Sequence, residues 1–259
     1  MIEWIYVVMG FLQGVFEWLP VSSKTVLMLF MSFAGGVSLL ESYLLSIVLQ
    51  GGTVVAAVIF FRRFLTQVFR LNYLLEFLVV STFVTGLLGL PIYFVVQVLL
   101  PGLDLSSTSL LVGLVLLFQY FMRRRVGEGF KTIENVNLVD SVLFGVAQSL
   151  AVLPGVSRSG STIIALIFMG YKLEDAMKLS FLASIPANLG GTLLVLYTSR
   201  NVISEPVSGF LIAFLVSSVV GLVTIKYLLK ISLKHSQKLI LLMSLITLVI
   251  GLLRVTIPV

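Results

Sequence analysis

Charge-poor apolar runs long enough to cross a bilayer recur along the whole chain, and that recurrence decides most of what it can fold into. They fall at about 42–61, 72–97, 107–122, 179–199, 207–225 and 239–257. Each approaches or exceeds the roughly 20 residues a helix needs to span the hydrocarbon core, and none alternates with the period of a barrel strand. Hydrophobic residues make up 59% of the chain and charged residues 11%, against about 25% charged in a soluble domain. The expectation is an all-α polytopic membrane protein with six spanning helices, the second kinked or ended by Pro91 and Pro101.

The cations punctuate these runs. Arg62, Arg63 and Arg70 follow the first, Arg123 to Arg125 and Lys131 the third, and Lys226 to Lys238 separate the last two. The Lys/Arg bias of these connections assigns them to the cytoplasm. The connections with Pro101, Gly102 and Asp104, or with Asn201 and Glu205, are poor in cations and belong outside. A net charge of +6 spread over short connections sets topology, and no nucleic-acid partner is expected from it. The first dozen residues carry Glu3 and no Lys or Arg, so no cleavable signal is expected. The chain has no cysteine, and its single histidine, His235, lies among lysines and reads as solvated. Glu76, Glu174 and Asp175 read as ordinary solvated or dipole-facing charges.

Two polar passages interrupt the apolar background and resemble each other: Gln13 to Ser23 carries Glu17, and Gln148 to Ser159 carries Arg158. Each is broken at Leu-Pro, and each lies within a stretch, 1–36 or 137–172, sized for a re-entrant helical hairpin. Backbone that leaves the helix at such depth is tolerated only where protein or a water-filled cavity satisfies it. The likeness continues downstream, where Ser46-Ile47, Gly51-Gly52-Thr53 and Arg62 are echoed by Ser184-Ile185, Gly190-Gly191-Thr192 and Arg200. Two units are expected, 1–130 and 131–259, each a hairpin followed by three spans. An odd number of crossings per unit makes this an inverted-topology repeat, whose hairpin tips converge.

Gln13 and Glu17 stand one helical turn apart, oxygen donors suited to a hard cation such as Mg²⁺ or Ca²⁺ whose remaining ligands come from phosphate and water. Ser22 and Ser23 follow Pro20 where a half-helix begins, a place for N-caps and equally for an anion. Lys24 comes next, able either to pair a phosphate or to snorkel. In the second passage Pro154 and Gly155 break the helix, and Ser157, Arg158, Ser159 and Thr162 follow. The Arg158 guanidinium fits phosphate oxygens bidentately, and a purely structural Arg158–Glu17 ion pair is the competing reading.

At these residues the chain resembles the undecaprenyl-diphosphate phosphatases, also called bacitracin-resistance proteins, over essentially its whole length. The family's first motif appears as Gln13 to Ser23, and its Pro-Gly-x-Ser-Arg-Ser motif as Pro154 to Ser159, with the downstream threonine at Thr162. The resemblance implies a plasma-membrane enzyme, its site opening to the outer face. Its activity would be divalent-metal-dependent hydrolysis of a polyprenyl diphosphate, of undecaprenyl or dolichyl type, to the monophosphate and phosphate. It leaves a homodimer open. Carried across, Glu17 and Gln13 serve metal binding or water activation, Arg158 holds the diphosphate, and Ser22, Ser23, Ser157 and Thr162 contact phosphate, one serving as nucleophile or yielding that role to water. Gly155 and Ser159 complete that binding set, and Lys24, outside the family's pattern, joins it as a cation able to pair a phosphate. One departure stands out: the family's bacterial pattern usually continues x-Gly-His after Ser-Ser, and this chain has Lys24-Thr25-Val26. Without that histidine, a transporter or flippase gripping a phosphorylated lipid or anion without cleavage is the competing function.

Overall fold

The computed structural model describes residues 3–124, 127, 129–199, 201 and 207–256, and its elements are helical. Arg125, Arg200 and Glu205 lie outside the described residues. The helices are α1 (Glu3–Phe16), α2 (Ser23–Ala34), α3 (Leu39–Val68), α4 (Asn72–Leu99), α5 (Leu105–Arg124), α6 (Leu138–Ser149), α7 (Arg158–Phe168), α8 (Leu173–Thr198) and α9 (Val207–Thr256). Five of these, α3, α4, α5, α8 and α9, are long and apolar enough to cross a membrane. The chain is an integral, multi-spanning membrane protein. Pro91 is carried inside α4, whereas Pro101 falls in the 3₁₀ turn that ends it.

The last two expected spans are the two limbs of α9, which meet at a kink with no loop between them. At about 1.5 Å per residue, the 50 residues of α9 would reach about 75 Å, more than twice the roughly 30 Å hydrocarbon core. Non-helical dihedrals at His235 (φ −129°, ψ 16°) divide it into two limbs. The first limb meets α1, where Gly10 sits against Ala213 and Val216; the second meets α5, where Ser244 donates to the Gly113 carbonyl at 2.9 Å. The expected Lys226–Lys238 loop is therefore corrected: the segment holds no Gly or Pro and is rich in Lys and Leu, strong helix formers, so the helix continues on both sides of a single hinge.

The four shorter helices have 14, 12, 12 and 11 residues, too few to cross. They pair as α1 with α2 and α6 with α7. Pro20 cannot continue a helix, and the chain restarts at Ser22, whose hydroxyl accepts from Thr25 N at 3.4 Å. In the second hairpin Gly155 turns at φ +89°, a left-handed conformation natural to glycine, and Ser157 caps α7 by accepting from Gly160 N at 3.1 Å. Each hairpin is seated on a spanning helix through a glycine three residues before its glutamine. A Cβ on Gly10 would lie 2.5 Å from Ala213 O and 2.7 Å from Val216 Cβ, and one on Gly145 would lie 2.8 Å from Ser81 O and 2.7 Å from Val84 Cβ.

The largest apolar cluster packs Trp18 at the first tip against Phe181 of α8, ring centroids 5.8 Å apart, together with Phe77 and Phe144. At its margin the Tyr171 hydroxyl donates to Asp140 at 2.6 Å and Lys131 pairs the same carboxylate at 3.4 Å. Burial and that hydrogen bond push the Tyr171 phenol up. Glu174 and Asp175 occupy the first turn of α8, where negative charge suits the helix dipole, and both pair with Lys178.

Candidate active site

Glu17 stands just past the end of α1, its N–H still bonded to Gln13 O at 3.1 Å. Its carboxylate collects four donors. Arg158 Nη2 (2.6 Å) and Asn188 Nδ2 (2.9 Å) meet Oε1, while Gln13 Nε2 and Ser23 Oγ, both at 2.9 Å, meet Oε2. The pair spans 141 residues of sequence and joins the two hairpin tips, with the Arg158 and Glu17 side chains 11% and 4% exposed. Two charges this deep hold together only when paired and hydrogen-bonded, and here both conditions are met.

Arg158 opens α7. Nη1 donates to Ser180 O at 3.2 Å and the guanidinium lies 5.5 Å from the Phe181 ring centroid, so α8 fixes its position. Two further contacts tie the tips: Ser159 Oγ donates to Leu19 O at 3.1 Å, and Lys24 Nζ donates to Ala151 O. Lys24 is buried, which corrects the snorkelling alternative. The carbonyl of Ala151, at the turn of the opposing hairpin, supplies the acceptor that water would otherwise provide.

A small cavity lies between the starts of α2 and α7, lined by Glu17, Ser22, Ser23, Lys24, Ser157, Arg158, Ser159 and Gln50, among others. The first N–H groups of a helix have no intrahelical acceptor and carry the positive end of the dipole. Two such ends, a lysine and an arginine thus border one space, an arrangement suited to an anion. As it stands that space is about 10 Å³, room for about one water. A phosphate fits only by taking over hydrogen bonds that Glu17 now receives. Behind it lies a groove of about 330 Å³ between α3, α4, α8 and the second tip, and Lys24, Gln50 and Arg158 border both.

Of the residues singled out in sequence, Glu17, Ser22, Ser23, Lys24, Ser157, Arg158 and Ser159 line the small cavity. Three do not. Gln13 stands behind Glu17 and orients it, also meeting Thr53 Oγ1 at 3.4 Å. Thr162 donates to Arg158 O at 2.8 Å and meets Ser180 Oγ at 2.7 Å, fastening α7 to α8. Gly155 makes the turn, close against Val112.

Residues 6–253 match the family described as bacitracin resistance protein BacA. The chain belongs to this family. Among relatives named undecaprenyl-diphosphatase, the protein of Saccharolobus islandicus is 39% identical across 87% of each chain. That of Sulfurisphaera tokodaii is 34% identical across 86% of this chain and 87% of its own, and that of Pyrobaculum aerophilum 33% identical across 96% and 97%.

Within this bacitracin resistance family member, sequence reasoning missed Asn188 and Gln50. Both are polar residues inside spanning helices, a default mark of a site in itself, but neither lies in a motif. Asn188 falls two residues after Pro186 in α8 and Gln50 immediately before Gly51-Gly52 in α3. No group of three or more His, Cys, Asp or Glu that could hold a metal occurs among the described residues. Among the described residues Glu17 is the only carboxylate lining the small cavity. Gln13 Oε1 is buried without a hydrogen-bond partner, one oxygen left for a cation or a water. Such a donor set is thin for a resident metal and adequate for Mg²⁺ arriving on a diphosphate, since that ion keeps waters and phosphate oxygens as ligands.

Proposed function

We propose that this protein hydrolyses a polyprenyl diphosphate, of undecaprenyl or dolichyl type, to the monophosphate and inorganic phosphate, and so recycles the lipid that carries cell-surface glycans. The observation that carries the reading is the junction of Glu17, Ser23 and Arg158 beside two helix N-termini. The family and the names of its relatives support it independently. The terminal phosphate would take Arg158 and the free N–H groups of α2 and α7 in place of Glu17, which leaves the carboxylate to serve Ser23.

Ser23 Oγ, 2.9 Å from Glu17 Oε2, is within the reach expected of a nucleophile and its base. Oγ attacks the β-phosphorus, its proton passes to Glu17, the P–O bond to the bridging oxygen breaks, and the prenyl monophosphate leaves with that oxygen. Glu17 gives that proton to the departing monophosphate; in the second step it takes one proton from the attacking water, the resulting P–O bond displaces Ser23 Oγ, and Glu17 returns the proton to Oγ as inorganic phosphate leaves. Gln13 and Asn188 hold the carboxylate in position throughout. Val26 stands where the family's bacterial pattern has histidine, and His235 is at the hinge of α9, so Glu17 takes the base role. Glu17 and Gln13 Oε1 would be the protein oxygens for a divalent cation, which would offset charge on the transferring group.

The same reading makes the chain two inverted units, 1–130 and 131–259, in the plasma membrane with the site opening to the outer face. The matched seats of Gly10 and Gly145 support the two-unit reading, as does the pairing of α1 with α9 and α6 with α4. The test is stoichiometry in detergent: one phosphate released per long-chain prenyl diphosphate supports hydrolysis. Movement of a labelled lipid phosphate across liposomes with no phosphate released would replace it with transport.

A further inference from the structure

We propose that the groove between α4 and α8 seats the first isoprene units of the lipid tail, and that Gly86 and Gly190, one on each wall, set its bore and hence which lipids are accepted. The proposal rests on the hydrolytic reading for the identity of the lipid and adds where its tail leaves the headgroup.

The two Gly-Gly-Thr segments are used differently. In the first, a Cβ on Gly52 would collide with Ser217 Oγ and lie 2.7 Å from Phe214 O, so glycine there permits α3 to close on α9. In the second, a Cβ on Gly190 would meet nothing within 4 Å, and one on Gly191 only Ile47 Cγ2 at 3.4 Å. Across the groove Gly86 likewise meets nothing, and Gly89 only Val152 Cγ2 at 3.4 Å. All four line the cavity. Glycine weakens a helix interior relative to alanine, and no helix–helix contact at Gly86 or Gly190 accounts for it. What the missing side chains leave is width.

Two amides point to an occupant. Gln50, at the junction of groove and headgroup cavity, is 9% exposed and makes no side-chain hydrogen bond among the described residues. Gln148, on the groove wall, is 2% exposed and its Oε1 has no partner. The unpaired Gln50 amide is open to the cavity, where a ligand bringing phosphate oxygens and water would pair it, and the Gln148 oxygen is a buried acceptor at the groove wall of the kind rarely left unsatisfied. Beyond them Leu90, Tyr93, Leu194 and Val195 make a surface suited to hydrocarbon. At about 330 Å³ the groove holds only the proximal part of a long tail, and the rest runs out among acyl chains.

The test is a graded series, Ala, Leu and Phe, at Gly86 and separately at Gly190, assayed with a C55 prenyl diphosphate and with the C5 compound isopentenyl diphosphate. Alanine should change little. Leucine and phenylalanine should raise KM for the C55 lipid by about tenfold or more while kcat/KM for the C5 substrate stays within about twofold. Equal losses on both substrates, or no loss on either, would overturn the proposal; wild-type-like melting and elution of each variant separate it from misfolding, and the two walls provide independent series. If the wild type releases phosphate from neither compound, the hydrolytic reading fails by itself. Retention of intact C55 diphosphate on the immobilised protein then decides the groove: loss of retention in the Leu variants supports it, and unchanged retention refutes it.

Discussion

At Glu17 four donors converge on two oxygens, so the residue holds the hairpins together and is poised for chemistry at once. The same contacts make it hazardous to alter. Glu17→Gln leaves Arg158 buried without its anion and Arg158→Gln leaves the carboxylate without its cation, and each should cost about 3–5 kcal/mol of stability. The double variant removes both charges and should cost less than the sum of the two. Denaturation of the three proteins in one detergent gives the coupling, and strict additivity would show that the pair contributes no mutual stabilisation. Much of this site was legible because carboxylate, guanidinium and hydroxyls stand out against apolar sequence. Asn188 and Gln50 were not, since single amides in long apolar helices carry no spacing pattern. Their importance comes from which helices lie beside them.

At the scale of elements, close approach and open space make opposite demands on glycine. Gly10→Val and Gly145→Val should each lower stability by about 1–3 kcal/mol through overpacking against a neighbouring helix. Gly190→Ala, with nothing within 4 Å, should leave stability unchanged or raise it. A melting series that ranks them otherwise would contradict the seating of both hairpins. A second prediction concerns the start of α5, where Asp104 Oδ1 accepts from Ser107 N at 3.0 Å. The Ser107 hydroxyl and then its N–H hold the Asp104 carboxyl below its usual range. A depressed folded-state value means the cap stabilises above the ordinary carboxylate range and is lost as pH falls through it. Asp104→Asn keeps an acceptor but not the charge, so its melting temperature should fall less between neutral and acid pH than that of the wild type. Spanning elements were legible from length and hydropathy; the direct joining of the two limbs of α9 at His235 was not, because lysines mark a membrane boundary without breaking a helix.

For the whole molecule, the Lys/Arg pattern predicts which ends of the spanning helices face the cytoplasm, and the absence of cysteine makes that topology easy to probe. An impermeant maleimide should label Gly102→Cys in intact cells and Lys234→Cys only after permeabilisation; the reverse would invert the orientation proposed here. The likeness of the two motif passages was visible in sequence, but the unequal use of Gly51-Gly52 and Gly190-Gly191 was not, since identical residues close one helix pair and leave another open. The central claim, that the two tips form one diphosphate-cleaving pocket, is tested most directly by phosphate release from a long-chain prenyl diphosphate. The assay compares the wild type with folded Glu17→Gln and Arg158→Lys proteins. The account predicts one phosphate per lipid for the wild type and rates at least about a hundredfold lower for each variant; near-normal turnover by either variant would contradict it.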